Sequence, residues 1–134
     1  MARQRPSNRG KTMSDLINHP PHYTAHQSKI ECIEITRHLD FNRGCAIKYL
    51  WRCGKKDSVN QELKKAIWYL NDEINNGLGD VNYSFNTNNK ITDKLDVLAL
   101  YQTDQERQLF NFIVFGFGHH LKHAIKIIEG MCDE

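Results

Sequence analysis

From Lys29 onward the apolar residues of this chain recur at intervals of three and four, the spacing that lines one face of an α-helix. In KIECIEITRHL, Ile30, Ile33 and Thr36 or Arg37 keep that period, with Cys32, Ile35 and Leu39 widening the stripe, so a short helix is predicted over Lys29 to Leu39. Asp40 or Asn42 can cap a second helix, which should bury Ala46, Ile47, Leu50, Trp51 and Cys53 and stop at Gly54. Ser58 and Gln61 have the S-x-x-Q spacing of a capping box, and Leu63, Ala66, Ile67, Leu70 and Ile74 then form a third stripe that ends at Gly77 or Gly79.

Beyond it, GLGDVNYSFNTNNKIT lacks a helical period and predicts a loop or a short hairpin. A fourth helix is expected over about Asp93 to Tyr101, with Leu95, Val97, Leu98 and Leu100 as its apolar positions. A second capping box, Thr103 and Glu106, precedes LFNFIVFGFGHHLKHAIKIIEG, in which Phe110, Ile113 or Val114, Phe117, Leu121, Ala124 or Ile125, and Ile128 share a stripe. Alternation over Phe110 to Phe117 also allows a strand, and Gly116 and Gly118 mark a break or a close helix crossing. The first third of that segment is apolar nearly all round, which calls for burial within this chain or against a second copy, and a homo-oligomer through Phe110 to Leu121 is expected. The pattern predicts an all-α protein. Its parts are a basic tail (1–17), a three-helix core (18–76), a loop (77–91) and a C-terminal helical appendage (92–134).

Composition changes this picture little: 134 residues, 40% hydrophobic and 25% charged, describe one ordinary globular domain. No apolar run approaches the roughly 18 residues of a membrane span, and no export signal is expected, so a cytoplasmic setting with Cys32, Cys45, Cys53 and Cys132 reduced is the expectation. Charge changes it more. Residues 1–11 hold Arg3, Arg5, Arg9 and Lys11 and no acid, which reads as a solvated tail or as an arm for nucleic acid. Phe41 to Leu70 holds seven basic side chains, Arg43, Lys48, Arg52, Lys55, Lys56, Lys64 and Lys65, against Asp57 and Glu62, whereas the whole chain is only +2. Positive charge concentrated on a packed scaffold favours phosphate or another anion.

The candidate chemistry follows from that cluster. Lys48 and Arg52 stand at i and i+4, in line with Lys55 or Lys56, while Glu62, Lys65 and Tyr69 share another face of the third helix. Glu31 and Glu34 lie one turn apart. Cations neutralise phosphate, and carboxylates hold Mg²⁺ or orient a nucleophile. The bland alternative is a solvated charged face that complements a helix dipole. His22 and Tyr23, placed by Pro20 and Pro21, form a rigid polar and aromatic edge. The groups His19, His22, His26 and His119, His120, His123 complete no metal-ligand set on spacing, and no metal site is expected. Glycine-rich phosphate loops, G-x-S-x-G and H-E-x-x-H are absent from the sequence.

Four blocks together, His22-Tyr23 after proline, I-E-x-I-E from Ile30 to Glu34, A-I-K-Y-x-x-R from Ala46 to Arg52, and the Leu-x-Lys-Ala-x-x-Tyr-Leu block ending at Leu70, carry a resemblance. Over residues 18–75 the chain resembles the small phage nucleotide-kinase-like family, related to the phage deoxynucleoside monophosphate kinase. The resemblance implies a phage protein, in the host cytoplasm during infection, that takes a nucleotide or other phosphorylated small molecule. It also implies that Lys48, Arg52, Lys55, Lys56 and Lys65 neutralise phosphates, that Glu31, Glu34 and Glu62 position a cation or hydroxyl, and that His22 and Tyr23 meet base or sugar. A kinase would take Lys48, Arg52 and Glu62 as its catalytic groups and ATP as donor, with Mg²⁺ left open. Cys45 stands where the family usually has Asn, and Gln61-Glu62 where it has Glu-Asp, which favours binding without turnover as the alternative. An all-α pyrophosphohydrolase, using Glu31-x-x-Glu34 with Asp93-x-x-Asp96, is a third reading.

Overall fold

The computed structural model describes residues 27–53, 57–77 and 79–132. It has six helices and no strand among them: α1 (Ile33–Thr36), α2 (Phe41–Trp51), α3 (Val59–Asn76), α4 (Phe85–Ala99), α5 (Asp104–Phe115) and α6 (Gly118–Met131). The all-α expectation therefore holds. No described helix is long and apolar enough to cross a membrane.

Four of the six described helices start at a side-chain cap. Asp40 accepts from the Arg43 N–H at 2.9 Å and opens α2. In α3 the Ser58 hydroxyl accepts from the Gln61 N–H at 3.2 Å while the Gln61 side chain accepts from the Ser58 N–H at 3.3 Å, the reciprocal box that the spacing predicts. Thr103 and Glu106 repeat it for α5 at 3.1 and 2.8 Å. Between α5 and α6 the chain turns at Gly116, where a Cβ would lie 2.3 Å from the Phe112 carbonyl oxygen and 2.5 Å from His120 Cβ. Only glycine allows that approach, so the helix breaks there and the strand alternative is not realised.

Helix α2 packs on α3, α3 on α6, α6 on α5 and α5 back on α2, a closed ring of four helices around the core. Helix α1 leans on both α2 and α4. The core combines Ala46, Ile47 and Trp51 with Leu63, Ala66 and Leu70 from the first half of the chain. To these the second half adds Ile91, Leu95 and Leu98, Ile113 and Val114, and Leu121, Ala124 and Ile128. The segment read as an appendage thus completes the core. Phe110, Ile113, Val114 and Leu121 are buried inside one chain, so their apolar character requires no second copy.

The stretch read as a loop through Thr92 is helical from Phe85, capped by Ser84 accepting from the Thr87 N–H at 3.2 Å. Burial of Ile91, Leu95 and Leu98 on one stripe overrides the poor helix propensity of its asparagines. At the other end of α4, Arg107 donates to the Ala99 and Gln102 carbonyls at 3.0 and 2.7 Å and ties the helix to α5.

Candidate functional site

The paired helices α2 and α3 bring together three of the cations that the sequence singles out. Arg52, just past the end of α2, is buried, and its Nε donates to Glu62 Oε2 at 2.6 Å. Glu62 lies in the first turn of α3 with 0% exposure, and its other oxygen accepts from Lys65 Nζ at 3.3 Å. Lys65 also meets Asp57 Oδ2 at 2.8 Å, and Arg52 Nη2 lies 3.9 Å from that same oxygen. The Lys65 hydrogen bond holds the Asp57 carboxyl below its usual range, and the same bond raises the Lys65 ammonium. Glu62 is therefore the anchor of an ion network, with both oxygens engaged by protein cations.

Above this network lies Tyr49. Lys48 Nζ sits 4.5 Å, Arg52 Cζ 4.7 Å and Lys65 Nζ 5.4 Å from its ring centroid, all within cation–π range. Tyr49 stacks on Tyr69 with centroids 5.6 Å apart, and Tyr69 in turn meets the edges of Phe41 at 5.8 Å and Trp68 at 5.0 Å. Phe41 and Trp68 are 75% and 62% exposed. Burial, followed by the neighbouring Tyr49, pushes the Tyr69 phenol up. Sequence reasoning missed this aromatic row as a site. Its signal was Phe41, Cys45 and Tyr49 at four-residue spacing on α2, opposite Lys65 and Tyr69 at the same spacing on α3.

Next to the row runs a groove of about 290 Å³ between α2 and the turn after α1, lined by Phe41 and Lys48 together with Thr36, Leu39, Gly44, Cys45 and the acidic Asp40. Burial pushes the Cys45 thiol up against the opposing influence of Lys48, so the groove presents a neutral thiol at pH 7. The groove puts a flat exposed ring and an ammonium on one concave surface.

The remaining expected site residues are not part of this assembly, or lie outside the described residues, as His22, Tyr23, Lys55 and Lys56 do. Glu34 belongs to α1 and pairs with Lys94 of α4 at 2.9 Å, its second oxygen accepting from the Glu31 N–H at 2.6 Å. Burial raises the Glu34 carboxyl, but Lys94 and the Glu31 amide outweigh it and leave the group below its usual range. Asp93 and Asp96, the second half of a pyrophosphohydrolase set, are exposed on α4, and among the described residues no group of three or more His, Cys, Asp or Glu could hold a metal ion.

Arg43, counted in the sequence among the cluster's cations, is withdrawn from it. It is 1% exposed, with Nη1 donating to the Ile113 carbonyl at 2.8 Å, Nη2 to the Gly79 carbonyl at 3.3 Å, and Nε 3.2 Å from Asp40 and 3.5 Å from Glu73. That node binds α2 to α3, to the segment before α4 and to the end of α5. Nearby, the Tyr83 hydroxyl donates to the Val114 carbonyl at 2.7 Å, and burial pushes its phenol up to about 12.

The search against curated proteins returned no match, and neither did the search against solved structures. The model of a family described as a protein of unknown function, DUF3310, matches residues 17–71, a span that takes in α1, α2 and most of α3 and with them the whole aromatic and cationic face.

Proposed function

We propose that this protein binds a nucleotide on the α2–α3 face, with the base against the exposed Phe41 or Trp68 ring and the phosphate drawn to Lys48 and its neighbours. The observation that carries the reading is the gathering of three cations within 4.5 to 5.4 Å of the Tyr49 ring, beside a row of further aromatics. A nucleotide is a flat π-system joined to an anion, and such a surface complements both halves. Stacking of a base on an aromatic side chain contributes about 1 to 3 kcal/mol. The 290 Å³ groove between Phe41 and Lys48 is at the lower end of the size range of small-molecule sites. The resemblance to the phage nucleotide-kinase-like family supports the same ligand class.

Binding without turnover is favoured over phosphoryl transfer. Glu62 is fully buried and its two oxygens already accept from Arg52 and Lys65, an arrangement that suits a structural ion pair better than a group that orients a hydroxyl or a metal ion. Calorimetry with each deoxynucleoside monophosphate and with ATP, with and without Mg²⁺, tests the reading beside a turnover assay on the same samples. Saturable heat that Phe41→Ala and Lys48→Ala both weaken supports it. Heat that neither variant changes rejects this face as the site, and product formation selects the kinase reading.

A further inference from the structure

A second concavity, away from the aromatic row, lies between α1 and α4. About 280 Å³ in volume, it is lined by Glu34, Arg37, His38, Lys90 and Lys94, every one a charged or titratable side chain. Lys90 and Lys94 are one turn apart on α4, and burial of Ile91 and Leu95 on the neighbouring stripe fixes the rotation that points them here. Arg37 and His38 come from the turn that ends α1, where Arg37 Nε donates to the Ile33 carbonyl at 3.1 Å. Three fixed cations thus face one carboxylate. Glu34 is already engaged by Lys94 at 2.9 Å and by the Glu31 N–H, and among the described residues no ion pair forms to Arg37 or Lys90.

His38 registers that field. Burial, then Lys90 and Arg37, hold its imidazole below the usual histidine value. Cations gathered on one concave surface favour an anion between them, and a phosphate dianion offers several strong acceptor oxygens to those donors.

We propose that the α1–α4 groove is an anion site that takes a phosphate group, supplied by inorganic phosphate or pyrophosphate or by the terminal phosphate of a nucleotide. Arg37, Lys90 and Lys94 would hold it, with His38 at its edge. The site is distinct from the α2–α3 face and stands or falls independently of the reading given to that face. It also draws on α4, which lies outside the span matched by the family model.

Histidine-detected NMR of the full chain tests it, with the His38 signal identified by its loss in His38→Gln. Titrations use inorganic phosphate, pyrophosphate, AMP and ATP, with sodium chloride at matched ionic strength and adenosine as controls. The expected result is a saturable shift of the His38 signal with the phosphate compounds only, and a rise in its titration midpoint of about half a unit or more, because a nearby anion favours imidazolium. Lys90→Glu, an exposed change that leaves the core untouched, should weaken the response about tenfold while thermal unfolding stays cooperative. Equal affinity for inorganic and nucleotide phosphate identifies a free anion as ligand, and tighter binding of ATP identifies the nucleotide; either upholds the proposal. A shift that chloride reproduces, one that Lys90→Glu leaves unaltered, or one that Lys48→Ala abolishes overturns it.

Discussion

Arg43 near the start of α2 and Arg52 just past its end are both buried and both paired with carboxylates, yet their surroundings differ. Around Arg43, two backbone carbonyls accept from the two Nη atoms and two acids lie within 3.5 Å of Nε, which itself makes no hydrogen bond, and the node ties four segments of the chain together. Around Arg52, Glu62 fixes one edge while Tyr49, Lys65 and Asp57 form a network that reaches solvent. The first arrangement consumes its charge in holding the fold. The second sets a paired ion network beside a solvent-facing row of rings, with Lys48 over the same Tyr49 ring.

The largest effect expected from this contrast is on stability at the closed end. Arg43→Met leaves Glu73 buried without its guanidinium and the Ile113 carbonyl without its donor, and should cost about 3 to 5 kcal/mol, the range for removing one partner of a buried pair. Urea unfolding followed by circular dichroism measures it. Arg52→Met should cost less, about 1 to 3 kcal/mol, since Lys65 already lies 3.3 Å from Glu62 and can carry part of the compensation. Equal losses at the two positions would erase the distinction between a closed and an open end.

That distinction was invisible in the sequence. A count of charges between Phe41 and Leu70 treats Arg43 and Lys48 alike, because whether a cation is neutralised depends on Glu73, Ile113 and Gly79, which lie 30 or more residues further along the chain. What was legible was local. The boxes at Ser58 and Thr103 and the stripes through Leu63, Ala66 and Leu70 are set by neighbours within one turn, and the structure reproduces them. The start of α4 was missed because Asn86, Asn88 and Asn89 read as a loop, although Ile91, Leu95 and Leu98 carried the helical spacing all along. The aromatic row was missed for a related reason: Tyr49 and Tyr69 meet only once α2 and α3 are paired.

At the open end the same contrast predicts loss of binding with little change in stability. Phe41 is exposed, so Phe41→Ala should alter the unfolding free energy by no more than about 0.5 kcal/mol. Nucleotide affinity should fall about five- to tenfold, equivalent to roughly 1 to 1.4 kcal/mol of lost stacking. Calorimetry on a variant whose melt is unchanged separates the two. A Phe41→Ala protein that binds as tightly as the parent would move the base away from this ring.

The smallest effect is the pH dependence that the closed end contributes. Burial raises the Glu73 carboxyl, with Asp40 adding to the rise, while Arg43 and Asn42 oppose it. Between the ordinary carboxyl range and that elevated value, folded Glu73 keeps a proton that the unfolded chain has released, so its contribution is full at low pH and fades as pH rises. Glu34, with its carboxyl held low, works the other way and loses its contribution as pH falls. In Glu73→Gln the side chain resembles the protonated acid at every pH. The stability of this variant relative to the parent should therefore climb from pH 4 to pH 7, as urea midpoints at several pH values would record. A difference that stays flat would mean that Glu73 keeps an ordinary carboxyl in the folded protein, and a difference that shrinks would mean that Arg43 dominates its environment and that the closed end is a conventional salt bridge.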